Sequence, residues 1–153
     1  VWSVSGGNWK TENGQLKATA PSSIASVPAM SPFVTAQVDV IGADKKNRVG
    51  GLVISYDPDD GSHLAVVLVG PDRVELRSVI NGWTTVIRAE TVTIPDSATL
   101  TVSRTEASVF VSLSGTQLFS AGVDSGTFTG TAAGLFHGGG PPVTFDNYGL
   151  TVL

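Results

Sequence analysis

The segment FVTAQVDVIG constrains this chain more than any other. Val34, Ala36, Val38 and Val40 fall on one side of an extended backbone, and Thr35, Gln37 and Asp39 on the other, because successive side chains of a strand point to opposite faces. A period of two held that long is a half-buried strand and does not fit a helix. The same alternation runs through GLVISY (Leu52, Ile54, Tyr56), RVELRSVI (Val74, Leu76), WTTVIRAE (Trp83, Thr85, Ile87, Ala89), ATLTVSR (Leu100, Val102) and ASVFVSLSG (Val109, Val111, Leu113). LAVVLV at 64–69 is apolar on both faces, as in a strand covered from both sides.

Turn chemistry cuts these runs at short intervals: SGGN at 5–8, ENG at 12–14, DPDDGS at 57–62, GPD at 70–72, NG at 81–82, PDS at 95–97 and SG at 114–115. Asn-Gly between alternating segments is a strong hairpin signal, since both central residues of a type I′ turn need positive φ. No ten-residue stretch carries a 3.6-residue period with caps, so almost no helix is expected. About a dozen short antiparallel strands predict an all-β, two-sheet sandwich; an up-and-down barrel and a propeller are the alternatives. No blade-length repeat supports a propeller. The 153 residues fit one domain, 1–153, able to bury a core without staples. VPAMSP at 27–32 and GGGPP at 138–142 are too short for interdomain linkers and read as loops.

Composition narrows the partners. Net charge is -4 and the nine basic residues are scattered, which leaves no electrostatic footprint for nucleic acid. The absence of cysteine excludes a disulfide framework, a thiolate zinc site and a cysteine nucleophile. No stretch approaches the ~20 apolar residues of a helical span, so no membrane insertion is expected. The chain opens at Val1-Trp2 with neither Met nor a charged leader, which suits a processed or excised module of a larger multidomain protein.

The order of these pieces carries a resemblance. WSVSGGNWKTENGQLKA with Trp9, then the Gly50–Val53 strand, the Ser114–Thr116 hairpin, AGLF, and the triplet Phe145, Asp146, Asn147 together resemble the LamG-like branch of the concanavalin A-like lectin/glucanase superfamily over nearly the whole chain. The resemblance implies a jelly-roll sandwich of twelve to fourteen antiparallel strands with a concave sheet open to a ligand. It also implies a bacterial extracellular setting, secreted or at the cell surface. Fold does not settle function, because that superfamily holds glucanases, lectins and inert spacers.

Cleavage of a glycosidic bond needs two carboxylates facing each other, roughly 5 to 9 Å apart. The E-x-D-x-x-E run that commonly supplies them is absent, and most of the thirteen acidic residues sit at turns, where Asp caps local amides. Neither His63 nor His137 lies beside a G-x-S-x-G elbow. A lyase would use a His base and a Tyr acid, for which Tyr56 and His63 are the available couple.

Sugars are held by an aromatic face and by planar hydrogen-bonding groups. Segment 48–83 supplies Arg48, Tyr56, Asp57, His63, Arg73, Arg77, Asn81 and Trp83. Glu75 and Arg77 leave the core by parity, and in a meander Tyr56, His63 and Arg77 can approach one another. Each has a plainer reading beside the ligand-binding one. Tyr56 shares parity with Leu52 and Ile54 and so belongs with the core; Trp83 can cover a hairpin end; the arginines can be solvated charges. Trp2 and Trp9 are expected as core plugs.

DPDDGS lacks the loop spacing of a calcium site, position twelve from Asp57 being Leu68, and reads as an Asp-capped turn. The superfamily resemblance implies a structural calcium that ties the N-terminal segment to an Asp of the last strand, here Asp146. The alternative is that Asp146 and Asn147 satisfy amides at a bulge. The function expected is a non-catalytic, lectin-like module for polysaccharide or oligosaccharide. The alternatives are a structural or adhesive spacer and a glycoside hydrolase or polysaccharide lyase.

Overall fold

The computed structural model describes residues 2–19, 21–42, 46–124 and 126–153; Val1, Ala20, Ala43, Asp44, Lys45 and Ser125 lie outside the described residues. Fourteen strands follow in order: β1 (Ser3–Ser5), β2 (Asn8–Glu12), β3 (Gln15–Thr19), β4 (Ser23–Pro28), β5 (Val34–Gly42), β6 (Val49–Tyr56) and β7 (His63–Val69). Then come β8 (Arg73–Ile80), β9 (Trp83–Thr91), β10 (Ser97–Arg104), β11 (Ser108–Leu113), β12 (Thr116–Gly122), β13 (Ala132–His137) and β14 (Val143–Val152). Among the described residues there is no helix. The tight turns form as their chemistry requires: Asn13-Gly14, Asn81-Gly82 and Ser114-Gly115 all hold positive φ at both residues.

The strands make two seven-stranded antiparallel sheets in a jelly-roll sandwich. The first runs β1-β4-β13-β6-β7-β8-β9 and the second β12-β11-β10-β5-β14-β3-β2. The period-two residues of β5 all point between the sheets, where Val34, Ala36, Val38 and Val40 are fully buried with Leu52, Ile54, Leu64, Leu76, Leu100 and Val111. Burial of each large aliphatic side chain contributes about 1.5–3 kcal/mol, so this layer dominates the stability. Phe145 plugs the core as expected and stacks on Trp9 at 5.9 Å. Trp9 is half-buried and Trp2 is exposed, set against Tyr148 at 5.1 Å. At one open side, Arg88 bridges the sheets: its Nη1 donates to the Ser120 carbonyl at 2.8 Å, and its guanidinium lies 5.2 Å from the Phe119 ring.

Two features shape the outer face of the first sheet. At Gly134 an added Cβ would stand 1.9 Å from the Ala25 carbonyl oxygen of β4, and at Gly51 it would stand 2.0 Å from the Val66 carbonyl oxygen of β7. Both glycines share parity with the outward-facing Phe136 and Val53, so the neighbouring main chain bends into the space where a side chain would stand. The second feature is a bulge at Ser55, which holds φ 53. Across it the β13–β6 register jumps, with Gly134 opposite Val53 but Ala132 opposite Tyr56. The bulge is held from inside: buried Arg104 donates through Nη1 to Ser55 Oγ and to the Phe128 carbonyl, and its guanidinium lies 5.3 Å from the Phe33 ring.

That bulge corrects one expectation. Simple alternation assigns Tyr56 to the core with Leu52 and Ile54. An extra residue in the strand reverses parity, and Tyr56 instead joins an outer cluster with Val53, Ala65 and Val67.

Candidate functional site

The outer face of the first sheet is concave. One cleft of about 290 Å³ is lined by Ser5 of β1, Ser23 and Ile24 of β4, Phe136 of β13, His63 of β7, Arg77 of β8 and Thr84 of β9. Since β1 and β9 are the two edges of this sheet, the sheet curls far enough for both edges to border one hollow. Its floor is apolar: Ile24, Ala65, Val79 and Phe136 line it, and Ile24 and Phe136 pack on the fully buried Val53 and Val67 cluster. A second depression of about 280 Å³ lies alongside, with Ser5 common to both, and is bordered by Tyr56, Pro28 and Pro58.

His63 opens β7 directly after the DPDDGS turn. That turn is closed by its own acids: Asp57 Oδ1 accepts from the Asp59 amide at 2.9 Å and Asp60 Oδ1 from the Ser62 amide at 2.8 Å. The Ser62 bonds hold the Asp60 carboxyl below its ordinary range. The turn also presents the Gly61 carbonyl to His63 Nδ1 at 2.8 Å. A carbonyl only accepts, so Nδ1 carries the proton and Nε2 is left as the acceptor of a neutral ring. Burial pushes the His63 pKa down, against the opposing pull of the Gly61 bond. The Tyr56 ring meets the imidazole edge-on at 5.8 Å.

Arg77 stands diagonal to His63, because Ala65 is its direct partner across β7 and β8 while His63 pairs with Val79. Glu75, one outward position earlier on β8, accepts from Arg73 Nε at 2.5 Å and from Arg77 Nε at 2.8 Å. Burial alone would raise the Glu75 pKa, but the hydrogen bonds and charges of the two arginines outweigh it and lower it. On β4, Ser23 pairs with buried His137, and its Oγ turns toward the second sheet, where it accepts the Trp9 indole N–H at 2.7 Å.

Of the eight residues singled out from the sequence, Tyr56, His63 and Arg77 come together here, with Arg73 one step behind through Glu75. Arg48 does not join them. It is fully buried between β5 and β6, where its Nε and Nη2 donate to the Gly70 carbonyl at 3.2 and 2.9 Å. Asp57 is committed to its turn, and Asn81 holds the positive φ of the β8–β9 hairpin. Trp83 is 80% exposed and pairs with Ile80, one residue from Thr84 but outside the cleft lining. Sequence reasoning missed Ile24 and Phe136, which were visible only as apolar strand residues. His137 is buried and structural: Nε2 donates to the Pro141 carbonyl at 2.9 Å and so anchors the GGGPP loop.

No carboxylate occurs among the described lining residues of the cleft, and Glu75, the nearest, has the lowered pKa of an ion pair rather than the raised one of a general acid. Asp146 lies elsewhere, on the outer face of the second sheet opposite Asp39. Gln15 donates to its Oδ2 at 3.2 Å and the Asn147 amide to its Oδ1 at 2.9 Å. Asn147, at φ 53 in a bulge, donates its Nδ2 to Asp39 Oδ2 at 2.8 Å, and Thr99 donates to Asp39 Oδ1 at 2.6 Å. These two bonds, Asn147 first, lower the Asp39 pKa. Among the described residues no three His, Asp or Glu side chains group to hold a metal.

No protein-family model and no curated sequence matches the chain. Solved structures do. The carbohydrate binding module CBM66 from Bacillus subtilis superposes with a TM-score of 0.82 at 17% identity, over 97% of this chain and 94% of that one. A Bacillus subtilis protein of unknown function with a galectin-like fold gives 0.73 at 11% identity, over 97% and 88%. The GH43 BlXynB protein from Bacillus licheniformis gives 0.73 at 12% identity, over 95% of this chain and 34% of that one. At such identities the likeness is one of fold: a lectin-like β-sandwich.

Proposed function

We propose that this chain is a non-catalytic carbohydrate-binding module of LamG-like type, carried by a secreted or cell-surface bacterial protein, and that it holds glycan in the concave face of its first sheet. The observation that carries this is the curled sheet itself. It brings half-buried Arg77 and the open Nε2 of His63 into one carboxylate-free hollow with an apolar floor. That combination suits a sugar, which offers C–H surface to the floor and hydroxyls to the polar groups. The structural likeness to a carbohydrate binding module supports the same reading. Affinity electrophoresis through gels containing soluble polysaccharides tests it: at least one polysaccharide retards the protein, and the His63→Ala/Arg77→Ala double variant migrates unretarded. No retardation in any gel overturns the binding function and leaves a spacer role.

A second reading, polysaccharide lyase, is favoured by one observation, the edge-on contact of Tyr56 with His63. Release of unsaturated product from a uronate polymer, abolished by Tyr56→Phe, would establish it.

A further inference from the structure

His63 and Arg77 differ in what they offer a ligand, and that difference defines what fits. The Gly61 carbonyl fixes the proton on Nδ1, so Nε2 presents a lone pair; among the described residues it has no hydrogen-bond partner, and it is not sealed from solvent. Arg77 spends Nε and Nη2 on Glu75 and keeps the Nη1 hydrogens unspent. One acceptor and one donor thus stand on adjacent strands at a diagonal, about 7–8 Å apart at the backbone, and the long arginine closes much of that gap.

We propose that the cleft selects neighbouring hydroxyls of a neutral sugar ring, one donating to His63 Nε2 while the next accepts from Arg77, and that it rejects uronates at neutral pH. The proposal rests on the carbohydrate-binding reading above. A hydroxyl can donate and accept; a carboxylate only accepts. A uronate turned toward Arg77 sets its remaining oxygen against the His63 lone pair, while Glu75 offsets one of the two arginine charges and Arg73 lies outside the cleft lining. Discrimination therefore comes from a misplaced lone pair rather than from a missing attraction.

The same arrangement makes the discrimination fail in acid. Protonation at Nε2 turns the acceptor into a donor that a carboxylate can meet as well as a hydroxyl can, so the preference for the neutral sugar falls as pH drops through the His63 pKa, which burial holds below the ordinary histidine range. The groups around His63 do not reverse this. β6 supplies the Tyr56 ring, β8 supplies Arg77, and β4 and β13 supply uncharged Ser23, Ile24 and Phe136. In the adjoining turn Asp57 and Asp60 are bound to their own amides, and Asp59 stands exposed.

The test is NMR titration of the ¹⁵N-labelled protein with methyl glucoside, methyl galactoside, methyl mannoside and methyl glucuronoside, at neutral pH and in steps below it. At least one neutral glycoside should shift His63 Nε2 and the Arg77 side-chain signals, with affinity about tenfold above that for the glucuronoside, the scale of one well-placed hydrogen bond and its loss. That preference should decline in step with His63 protonation. His63→Gln keeps an accepting oxygen that does not titrate, so its preference for the same glycoside should be flat with pH. A neutral glycoside that moves Arg77 but not Nε2, a pH-independent wild-type preference, or preference for the glucuronoside overturns the proposal while leaving carbohydrate binding intact. If no glycoside moves any signal of the concave face, both fall.

Discussion

Replacing Gly134 by alanine tests the origin of the concave face. The added Cβ would sit 1.9 Å from the Ala25 carbonyl oxygen and 2.7 Å from the Ser26 Cα. Both are main-chain atoms of β4, so no rotamer change relieves the contact. β4 must move away by about an ångström or more to reach ordinary van der Waals separation. It is held along its whole length by the β13 ladder from Ala132–Pro28 to His137–Ser23. Overpacking that shifts a rigid backbone costs about 3 kcal/mol or more, beyond the usual 1–3 kcal/mol for side-chain crowding. At this chain length each kcal/mol lowers Tm by about 2–4 °C, so Gly134→Ala should melt roughly 6–12 °C below the parent. Gly149→Ala is the control, since its Cβ meets nothing within 4 Å; it should stay within about 1 kcal/mol of the parent. Urea unfolding with unchanged m-value gives the same difference independently. Because β4 carries Ile24 of the cleft lining, polysaccharide retardation should weaken in the Gly134 variant even where it remains folded. A Gly134→Ala protein that unfolds with the Gly149→Ala control would refute the close-approach argument.

Three further outcomes follow from the structure. Glu75 has a lowered pKa in the folded chain, so its pairing stabilises fully above the ordinary glutamate value of 4.5 and is lost as pH falls through the lower folded value; urea midpoints should show an acid decline that is shallower in Glu75→Gln. Trp83→Ala should leave urea stability within about 0.5 kcal/mol, as expected of an exposed side chain, remove most acrylamide-quenchable tryptophan emission, and leave retardation by polysaccharide unchanged. Millimolar calcium should leave Tm unmoved, whereas a saturable rise abolished by Asp146→Asn would place a cation at that residue through linkage.

Much of the sandwich was legible because its strands obey one rule. From Val34 to Val40 of β5 and from Ala98 to Val102 of β10 every second residue is apolar and buried, and Asn-Gly marked two hairpins that formed as chemistry demanded. Tyr56 shows where the rule stops. Ser55 is neither Gly nor Asn, so nothing local announces its positive φ; the bulge is imposed by Arg104, distant in sequence and carrying no pattern of its own. The closeness of Tyr56, His63 and Arg77 was foreseeable from a meander, but the hollow they face was not, because curl depends on main-chain approach at Gly51 and Gly134. Arg48 misled for the opposite reason: a charged residue in a loop usually meets water, and this one is buried against a carbonyl instead.

The hollow of the first sheet lies over main chain drawn inward at two glycines, and all of its described lining residues but Ser22 belong to strands. Its depth is therefore independent of insertion length at the sandwich ends, and its contents can be rewritten one strand position at a time. Exchange at His63 or Arg77 would change which hydroxyls are welcomed without reshaping the vessel, so related chains with different tastes in sugar should share this backbone and differ at these two sites.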